Sequence, residues 1–316
     1  MSANVESMMF AGALPWHGEG NKIADDMLYD TAEGIKTAGM DWEVGLKDLQ
    51  TVDGVSVPNK ACYRKSDNKI LGVVGPRWTP VQNWHMFDWF QPMLDAKLAK
   101  LHTAGSLCGG TKVWVLAELA MDNLEIVKGD EVAPFVLLAN SHDGSMAVRA
   151  GFTPIRVVCT NTLRMAVGDV ASKLIRIRHS TKVVENLDAV REIMNLAKQS
   201  FEATAEQYRL LSRKAIHSGD LRKYVKIVLG IENVADSDLP KKTTNIMEEI
   251  FAMVEGGRGQ DNPLVKGTFW AAYNGVTEYL NYNKGRNVSN RLDSLWFGQA
   301  GTLSANALDT AMKMAG

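Results

Sequence analysis

The stretch "NLEIVKGDEVAPFVLLANSHDGSMAVRAGFTPIRVVC", residues 123–159, has the pattern of several β-strands joined by short turns. The turn segments are "KGDE" and "SHDGS", and Asp-Gly is a strong hairpin signal because glycine accepts the positive φ angle of a tight turn. We therefore expect residues 134–142 and 145–152 to form an antiparallel hairpin. Asp143 and Gly144 would lie in its turn.

The residues before this stretch predict more strands and one helix. "VSVPNKACYRKSDNKILGVVG", residues 55–75, predicts a hairpin in which "SDNK" supplies the turn. "VQNWHMFDWFQPMLDAKLAK", residues 81–100, carries apolar residues at three-and-four spacing, which indicates an amphipathic helix that covers one face of the sheet. The apolar positions of this helix are Trp84, Phe87, Phe90, Met93, Leu94 and Leu98.

After about Thr181 the pattern becomes helical. A long helix from about 183 to 216 is predicted by the apolar residues Leu187, Val190, Met194, Ala197, Phe201, Ala205, Tyr208 and Leu211. Further helices are predicted over 219–230, 243–255, 267–282 and 304–315. The fold class is therefore α+β, with an N-terminal antiparallel-sheet-rich half that carries a packed helix and a mainly helical C-terminal half. We expect a division into domains 1–180 and 181–316.

Composition excludes several classes of protein. The 316 residues carry a formal net charge of -1 and include 46% hydrophobic residues, which are ordinary values for a globular chain. A neutral charge gives no global argument for nucleic acid or an anionic membrane, so any polyanion site must be local. The three cysteines form neither a CxxC pair nor a disulfide framework. With no signal peptide or membrane span in the sequence, we expect a cytoplasmic protein.

Residues 139–167 contain a set of side chains that would suit catalysis. Cys159 would be the nucleophile, His142 its base and Asp143 the acid that orients the base. The spacing favours another interpretation, because His142 and Asp143 fall in the predicted turn and no spacing rule brings Cys159 to them. Turn and core roles are therefore preferred, and the enzyme remains an alternative.

No metal or cofactor site is predicted. The six histidines show neither the HExxH pattern nor a pairing with CxxC. "EGGRGQ", residues 255–260, lacks the residue order of a P-loop, so a flexible connection is predicted there.

The segment from 149 to 182 is basic within a neutral protein. Asp169 is its only acid, and its basic residues are Arg149, Arg156, Arg164, Lys173, Arg176, Arg178 and Lys182. Arginine forms bidentate contacts with phosphate oxygens, and counterion release favours association with a nucleic-acid backbone. Aromatic residues that could stack on bases are Trp78, Trp84, Trp89, Trp114 and Phe152. The alternative is that these arginines are solvated or paired with acids of the helical half.

The segment "GTFWAAYNGVTEYLNYNKGRNVSNRLDSLWFG", residues 267–298, places polar and aromatic residues on one helical face. One interpretation is a ligand or nucleic-acid groove with Arg286 and Arg291 beyond it. The preferred interpretation is a helix that docks on the sheet domain through its aromatic residues and is held by buried polar bonds.

Five blocks carry a resemblance to a known family: "LPWHGEG", "AGMDWEV", "LGVVGPRWTPVQN", "NSHDGSMAVRAGFTPIRVVCTNTL" and "WAAYNGVTEYLNYNKGRNVSNRLDSLWFG". Together they resemble the phage/plasmid-like protein family, a domain of unknown function carried by phages, plasmids and their bacterial hosts. In many members the equivalent of "NYNKG" looks more like an Asp-His pair. Asn281 and Tyr282 depart from that pattern, which weakens a metal or acid/base role there.

The resemblance implies a phage or mobile-element setting in a bacterial cytoplasm. The order of strands, helix, antiparallel strands and helix also looks like the core of phage single-strand annealing recombinases of the lambda beta and RecT type. That likeness implies a homo-oligomeric ring or filament that binds single-stranded DNA. Fold alone does not fix function.

The leading hypothesis is therefore a non-enzymatic, ATP-independent single-stranded DNA-binding and annealing protein. The expected phosphate contacts are Arg149, Arg156, Arg164, Lys173, Arg176 and Arg178, and the expected stacking residues are Trp78 and Phe152. The long helix would mediate self-assembly through its apolar stripe. The rivals are an enzyme that uses Cys159, and a structural or host-interaction phage protein without DNA affinity.

Overall fold

The computed structural model describes residues 5–12, 20–157, 161–162, 187–284, 294–295 and 298–316. It confirms the α+β class, with sheets in the N-terminal part and helices in the C-terminal part. The chain forms two compact units, each assembled from three segments. The first comprises Met1–Met121, Phe135–Gly151 and Lys173–Leu196, and the second comprises Asp122–Pro134, Phe152–Ser172 and Ala197–Gly316. The predicted domain boundary at residue 180 lies outside the described residues.

The strands, numbered in chain order, are β1 Val5–Phe10, β2 Asn21–Lys22, β3 Val44–Gln50, β4 Ser56–Arg64, β5 Ile70–Val74, β6 Ala99–Leu107, β7 Lys112–Leu119, β8 Leu124–Val127, β9 Asp130–Ser141, β10 Arg149–Arg156 and β11 Asn161–Thr162. The helices are α1 Thr31–Thr37, α2 Asn83–Asp95, α3 Leu187–Arg213, α4 Ser218–Leu229, α5 Lys241–Gly256, α6 Phe269–Glu278 and α7 Gln299–Ala315. The π-helical turn Tyr279–Asn283 continues α6.

The larger sheet of the first unit is mainly antiparallel. The C-terminal part of β9 pairs with β7, β7 with β6, and β6 with β1, while β2 joins β1 in parallel. Helix α2 packs against β6 and β7. Its buried residues Met86, Phe90 and Met93 repeat at three-and-four spacing, so the amphipathic helix predicted from the sequence is confirmed.

Strands β3, β4 and β5 form a separate antiparallel sheet in the first unit. The hairpin predicted around "SDNK" is confirmed, and Asn68 takes a φ of 59° in its turn. One face of this sheet packs on the "HDGS" turn: a Cβ added to Gly72 would lie 2.5 Å from the Asp143 Cα. A glycine at position 72 therefore allows the turn to sit directly on the strand.

The second unit has a helical core around aromatic side chains. Tyr208 of α3 contacts Trp270 of α6 with ring centroids 4.6 Å apart, and both side chains are fully buried. Helices α5 and α6 approach closely at Gly275, where an added Cβ would lie 2.8 Å from the Val254 backbone nitrogen. The dense packing fixes α6 and the turn that follows it.

Candidate nucleic-acid interface

The structure describes two of the six residues predicted to bind phosphates. Arg149 begins β10, in the first unit, and is half-buried. Arg156 ends β10, in the second unit, and is fully buried. The other four predicted phosphate contacts, Arg164, Lys173, Arg176 and Arg178, lie outside the described residues.

Arg156 has a structural role in the second unit. Its Nε and Nη2 donate to the two carboxylate oxygens of Asp130 at 2.7 and 2.6 Å, and Trp270 Nε1 donates to the same carboxylate at 2.8 Å. Its remaining donors reach the backbone carbonyls of Arg258 and Gly259 at 3.1 and 3.0 Å. A guanidinium with 0% exposure in this network does not reach a phosphate backbone. The phosphate contact predicted at Arg156 does not fit this geometry.

Burial divides the five aromatic residues that were candidates for base stacking. Phe152 is 8% exposed and packs on Phe201 with a centroid distance of 5.4 Å, so its predicted stacking role does not fit a core position. Trp89 and Trp114 are also buried. Trp78 is half-buried, and Trp84 is 37% exposed.

Trp84 belongs to the first turn of α2, beside exposed polar neighbours. The His85 ring lies next to the Trp84 ring, with centroids 5.4 Å apart. Arg77 is exposed in the loop that leads to the helix, and Trp78 follows it. We call Arg77, Trp78, Trp84 and His85 the tryptophan loop. The prediction that Trp84 belongs to the apolar face of α2 is wrong, because that face begins at Met86.

The start of α2, between Trp78 and Trp84, is fixed by hydrogen bonds of side chains to the backbone. The Val44 N–H donates to Gln82 Oε1 at 2.8 Å, and Gln82 Nε2 donates to the Val44 carbonyl at 2.9 Å. The Gln82 N–H donates to His85 Nδ1 at 3.2 Å. The side-chain amide of Gln82 thus makes the two hydrogen bonds to Val44, at the start of β3, that the backbone of a neighbouring strand would make.

The next residue, Asn83, fixes the helix start from inside. Its Nδ2 donates to the carbonyls of Met40 and Trp42 at 2.9 and 3.3 Å, and its Oδ1 lies 3.0 Å from His142 Nε2. Both Asn83 and His142 have 0% exposure. The first turn of α2 therefore has a rigid inner side and an outer side that carries Trp84 and His85.

His142 and Asp143 have structural surroundings. Burial lowers the pKa of His142 to about 4, against an opposing contribution from the nearby Asp143 charge, so the imidazole is neutral at pH 7. Burial acts to raise the pKa of Asp143, but the hydrogen bonds from Ser145 and Ser141 together with the Lys112 charge outweigh it, and the pKa is lowered. The Ser145 N–H donates to Asp143 Oδ1 at 2.9 Å, and Gly144 has a φ of 76°. The bend at Asp143–Gly144 is the one that the sequence predicts, but the connection is longer than the predicted hairpin turn, because β9 ends at Ser141 and β10 begins at Arg149 and not at residue 145. Cys159 lies outside the described residues.

The three-stranded sheet has a solvent-facing side that we call the outer face, formed by Gly45, Lys47, Tyr63, Ile70 and Val73. Cross-strand partners Gly45 and Tyr63, and Tyr63 and Ile70, share it. The Tyr63 ring lies across Gly45, where an added Cβ would be 2.7 Å from its Cε1, and the Lys47 Nζ sits 4.0 Å from the ring centroid. Ile70 and Val73 are 54% and 55% exposed.

The apolar stripe of α3 is buried where its side chains are described. Phe201, Ala205, Tyr208 and Leu211 have at most 1% exposure, and their ring partners belong to the second unit. The stripe forms core of that unit, so the self-assembly predicted through it does not fit this packing. All residues of α6 are buried as well, so the predicted burial of the aromatic-polar segment is found. Its rings Trp270 and Tyr273 contact Tyr208 of α3 in the same unit, and the predicted docking of this helix on the sheet domain is not tested by these contacts.

Within the described ranges, no group of three or more His, Cys, Asp or Glu side chains is placed to hold a metal ion. Among the helices of those same ranges, none combines the length and the apolar character that a membrane span requires.

Comparison with known proteins identifies a family. Neither the curated proteins nor the solved structures include a match to this chain. A family model described as "Domain of unknown function (DUF932)" matches residues 70–296, which is more than half of the chain. The match includes α2, the "HDGS" turn, the buried pair Asp130–Arg156 and α6. The chain therefore belongs to the DUF932 family, a domain family of unknown function.

Proposed function

We propose that this DUF932 protein is a non-enzymatic, ATP-independent single-stranded DNA-binding and annealing protein of a phage or mobile element, acting in recombination or replication. The observation that supports this most directly is the tryptophan loop. A tryptophan with 37% of its surface exposed lies in the first turn of α2, next to a histidine ring and seven residues after an exposed arginine.

The chemistry of the tryptophan loop suits unpaired bases. An exposed indole offers a flat apolar face on which any base can stack, and such contacts contribute about 1–3 kcal/mol per base. Arg77 can bind the phosphate beside a stacked base. Since Gln82 and Asn83 fix the start of α2 to the backbone of residues 40–44, the backbone at Trp84 gains little order on binding.

The annealing activity and the phage setting rest on the resemblance stated from the sequence. The first unit supports that likeness in outline, because the antiparallel strands β3, β4 and β5 directly precede α2 and further antiparallel strands follow it. Strand order describes the fold and does not fix the function, whereas the tryptophan loop offers the chemistry for binding unpaired bases.

Self-association is a second part of the proposal, and the outer face supports it better than α3 does. Ile70 and Val73 are exposed on this face, and Val52 and Val55 are exposed in the β3–β4 turn at 110% and 59%. Exposed apolar side chains gathered on a small sheet with two edge strands are typical of a protein contact. A ring or filament would place such a surface between subunits.

The test of the proposed function is a fluorescence-anisotropy titration of the full chain with a labelled oligonucleotide at two salt concentrations. We expect binding that weakens with salt, with a log-log slope of several units if several phosphates are held. Absence of binding at micromolar protein and about 50 mM salt would overturn the proposal. The Cys159→Ser variant distinguishes the annealing protein from the enzyme alternative. Annealing should be retained in this variant, whereas covalent chemistry at Cys159 should be lost.

A further inference from the structure

His85, in the first turn of α2, has a defined tautomer when its ring is neutral. The Gln82 N–H donates to His85 Nδ1 at 3.2 Å. A backbone N–H can only donate, so Nδ1 carries a lone pair and the proton of the neutral imidazole lies on Nε2. Within the part of the chain that the structure describes, Nε2 has no hydrogen-bond partner. His85 therefore has one N–H donor left for a ligand.

This donor belongs to a ring that lies beside the exposed indole of Trp84. The two ring centroids are 5.4 Å apart and the ring planes make an angle of 59°, so the imidazole does not cover the indole as a parallel ring would. Both side chains are exposed. A base that stacks on the indole face would bring one of its edges to the imidazole, where the polar atoms of the base lie.

The position of the imidazole is fixed through its hydrogen-bond partner. Gln82 holds His85 through its N–H, and the side-chain amide of Gln82 makes two hydrogen bonds to the backbone of Val44. The ring is thus connected to β3 through two residues. A donor that is held in place before binding loses little entropy when it meets its acceptor.

Asp88 determines which kind of acceptor suits this donor. It lies three positions after His85 on α2, so the two side chains are neighbours on the helix surface. Burial raises the pKa of the half-buried Asp88, and the His85 charge opposes that shift, as expected for neighbours. A carboxylate beside the imidazole repels a phosphate group, whereas it has no net charge to repel in the carbonyl oxygen of a base.

We propose that His85 is a specificity-determining residue of the tryptophan loop, and that its Nε2–H donates to an acceptor atom of the base that stacks on Trp84. The inference rests on the function proposed above and names the ligand more closely. Trp84 provides affinity for any flat ring, and His85 makes the affinity depend on an acceptor at the edge of that ring. The acceptors of thymine are its two carbonyl oxygens.

The test is an anisotropy titration of the full chain with two single strands of equal length. One is a thymidine oligonucleotide, and in the other each thymine is replaced by difluorotoluene, which has nearly the shape of thymine and lacks its carbonyl oxygens. Both strands can stack and carry the same phosphates. We expect the wild type to bind the thymidine strand more tightly by roughly twofold to tenfold, the range for one hydrogen bond.

Two variants of His85 separate its two nitrogens. The side-chain oxygen of asparagine occupies nearly the position of Nδ1, so His85→Asn can still accept from the Gln82 N–H but has no donor at the position of Nε2. This variant should bind the two strands with equal affinity. The longer amide of His85→Gln reaches closer to the position of Nε2 and should retain part of the preference for thymidine. His217→Asn, at an exposed histidine of the second unit, is the control and should behave as the wild type.

The outcomes separate this inference from the proposed function. If His85→Asn weakens binding of both strands equally, or of neither, His85 does not contact the base, although the protein still binds single strands. Absence of binding by the wild type overturns the proposed function and this inference together. NMR of the imidazole nitrogens in the free protein is a second measurement that needs no variant, and a proton on Nδ1 of the neutral His85 ring would also overturn the proposal.

Discussion

The guanidinium of Arg156 and the carboxylate of Asp130 form a two-point ion pair that is closed to solvent, with side-chain exposures of 0% and 1%. The pair joins the first residue of β9 to the last residue of β10, and it also holds the carbonyls of Arg258 and Gly259. One buried arginine thus connects two strands with the loop between α5 and α6.

The first prediction concerns the stability of this network. Arg156→Ala should lower the free energy of unfolding by about 3–5 kcal/mol, because it leaves the Asp130 carboxylate buried without its counter-ion. Urea denaturation followed by circular dichroism measures the change. The matched control is Lys65→Ala, which breaks the exposed pair with Glu43, where we expect no measurable loss. A loss below about 1 kcal/mol for Arg156→Ala would contradict the structural role.

The second prediction concerns the contact between the "HDGS" turn and β5. Gly72→Ala should destabilise the protein by about 1–3 kcal/mol, because the new methyl group would meet the Asp143 backbone and one element must shift. Thermal unfolding of both variants is the measurement. Gly75→Ala is the control, since nothing lies within 4 Å of a Cβ at that position. Equal melting temperatures for the two variants would show that the turn does not sit on the strand as described.

Sequence patterns predicted the elements of this fold well where periodicity or turn chemistry was strong. The apolar repeat from Met86 to Leu94 is that of a helix with one buried face. Asp143–Gly144 is a dipeptide typical of turns, because glycine accepts the positive φ angle that Gly144 adopts. Both signals are local. Each depends on the residues within a few positions, so a single sequence contains them in full.

The site was harder to predict because its determinants are not local. Nothing in the spacing of "TPIR" reveals that Arg156 meets a carboxylate 26 residues earlier, so the arginine looked available for a phosphate. Trp84 was assigned to the apolar face because it fits three-and-four spacing with Phe87. Trp84 lies in the first turn of α2, at the end of that face. The polar contacts of Gln82 and Asn83 orient this turn and so determine where the Trp84 side chain points.

The third prediction concerns the tryptophan loop. Trp84→Ala should weaken binding of a single-stranded oligonucleotide by about 1–3 kcal/mol, the range for loss of one stacked base, with little change in the salt dependence. Arg77→Ala should instead reduce the salt slope by about one unit. Anisotropy titrations at several salt concentrations separate the two effects. Leu264→Ala, at an exposed apolar residue of the second unit, is the control.

If Trp84→Ala and Leu264→Ala bind the oligonucleotide as tightly as the wild type, the tryptophan loop is not the interface. Circular dichroism of each variant verifies the fold. Because Trp84 is 37% exposed and the rest of its side chain is covered, we expect its substitution to lower the unfolding midpoint somewhat while the variant stays folded under the conditions of the titration.

The fourth prediction concerns self-association through the outer face. Val73→Asp places a charge on the exposed apolar side of β5 without affecting the packed side, where Leu71 and Val74 are buried. If this face lies between subunits, light scattering after size exclusion should show a smaller assembly for Val73→Asp than for the wild type. Val157→Asp changes another exposed valine and serves as the control. A monomeric wild type, or assemblies of equal size, would contradict the expectation.

The last prediction concerns pH. In the unfolded chain the His142 imidazole takes up a proton as the pH falls through 6.5, but burial lowers its pKa in the folded protein to about 4. Between these values the unfolded state binds more protons, so the free energy of unfolding should fall as the pH drops from about 6.5 to 4, by on the order of 2–3 kcal/mol from this residue. Burial lowers the pKa of His102 as well, which adds to the same trend.

His142→Gln tests this assignment, because glutamine does not titrate and its amide can still bond to Asn83. The variant should lose part of the pH dependence of urea unfolding between pH 4 and 6.5, and His102→Gln should lose a separate part. Proton NMR of the wild-type imidazole C–H signals measures the titration directly and does not depend on whether a variant folds. A His142 signal that titrates near 6.5 in the folded protein would mean that the ring is solvated, and the rigid inner side of the α2 start would then need another explanation.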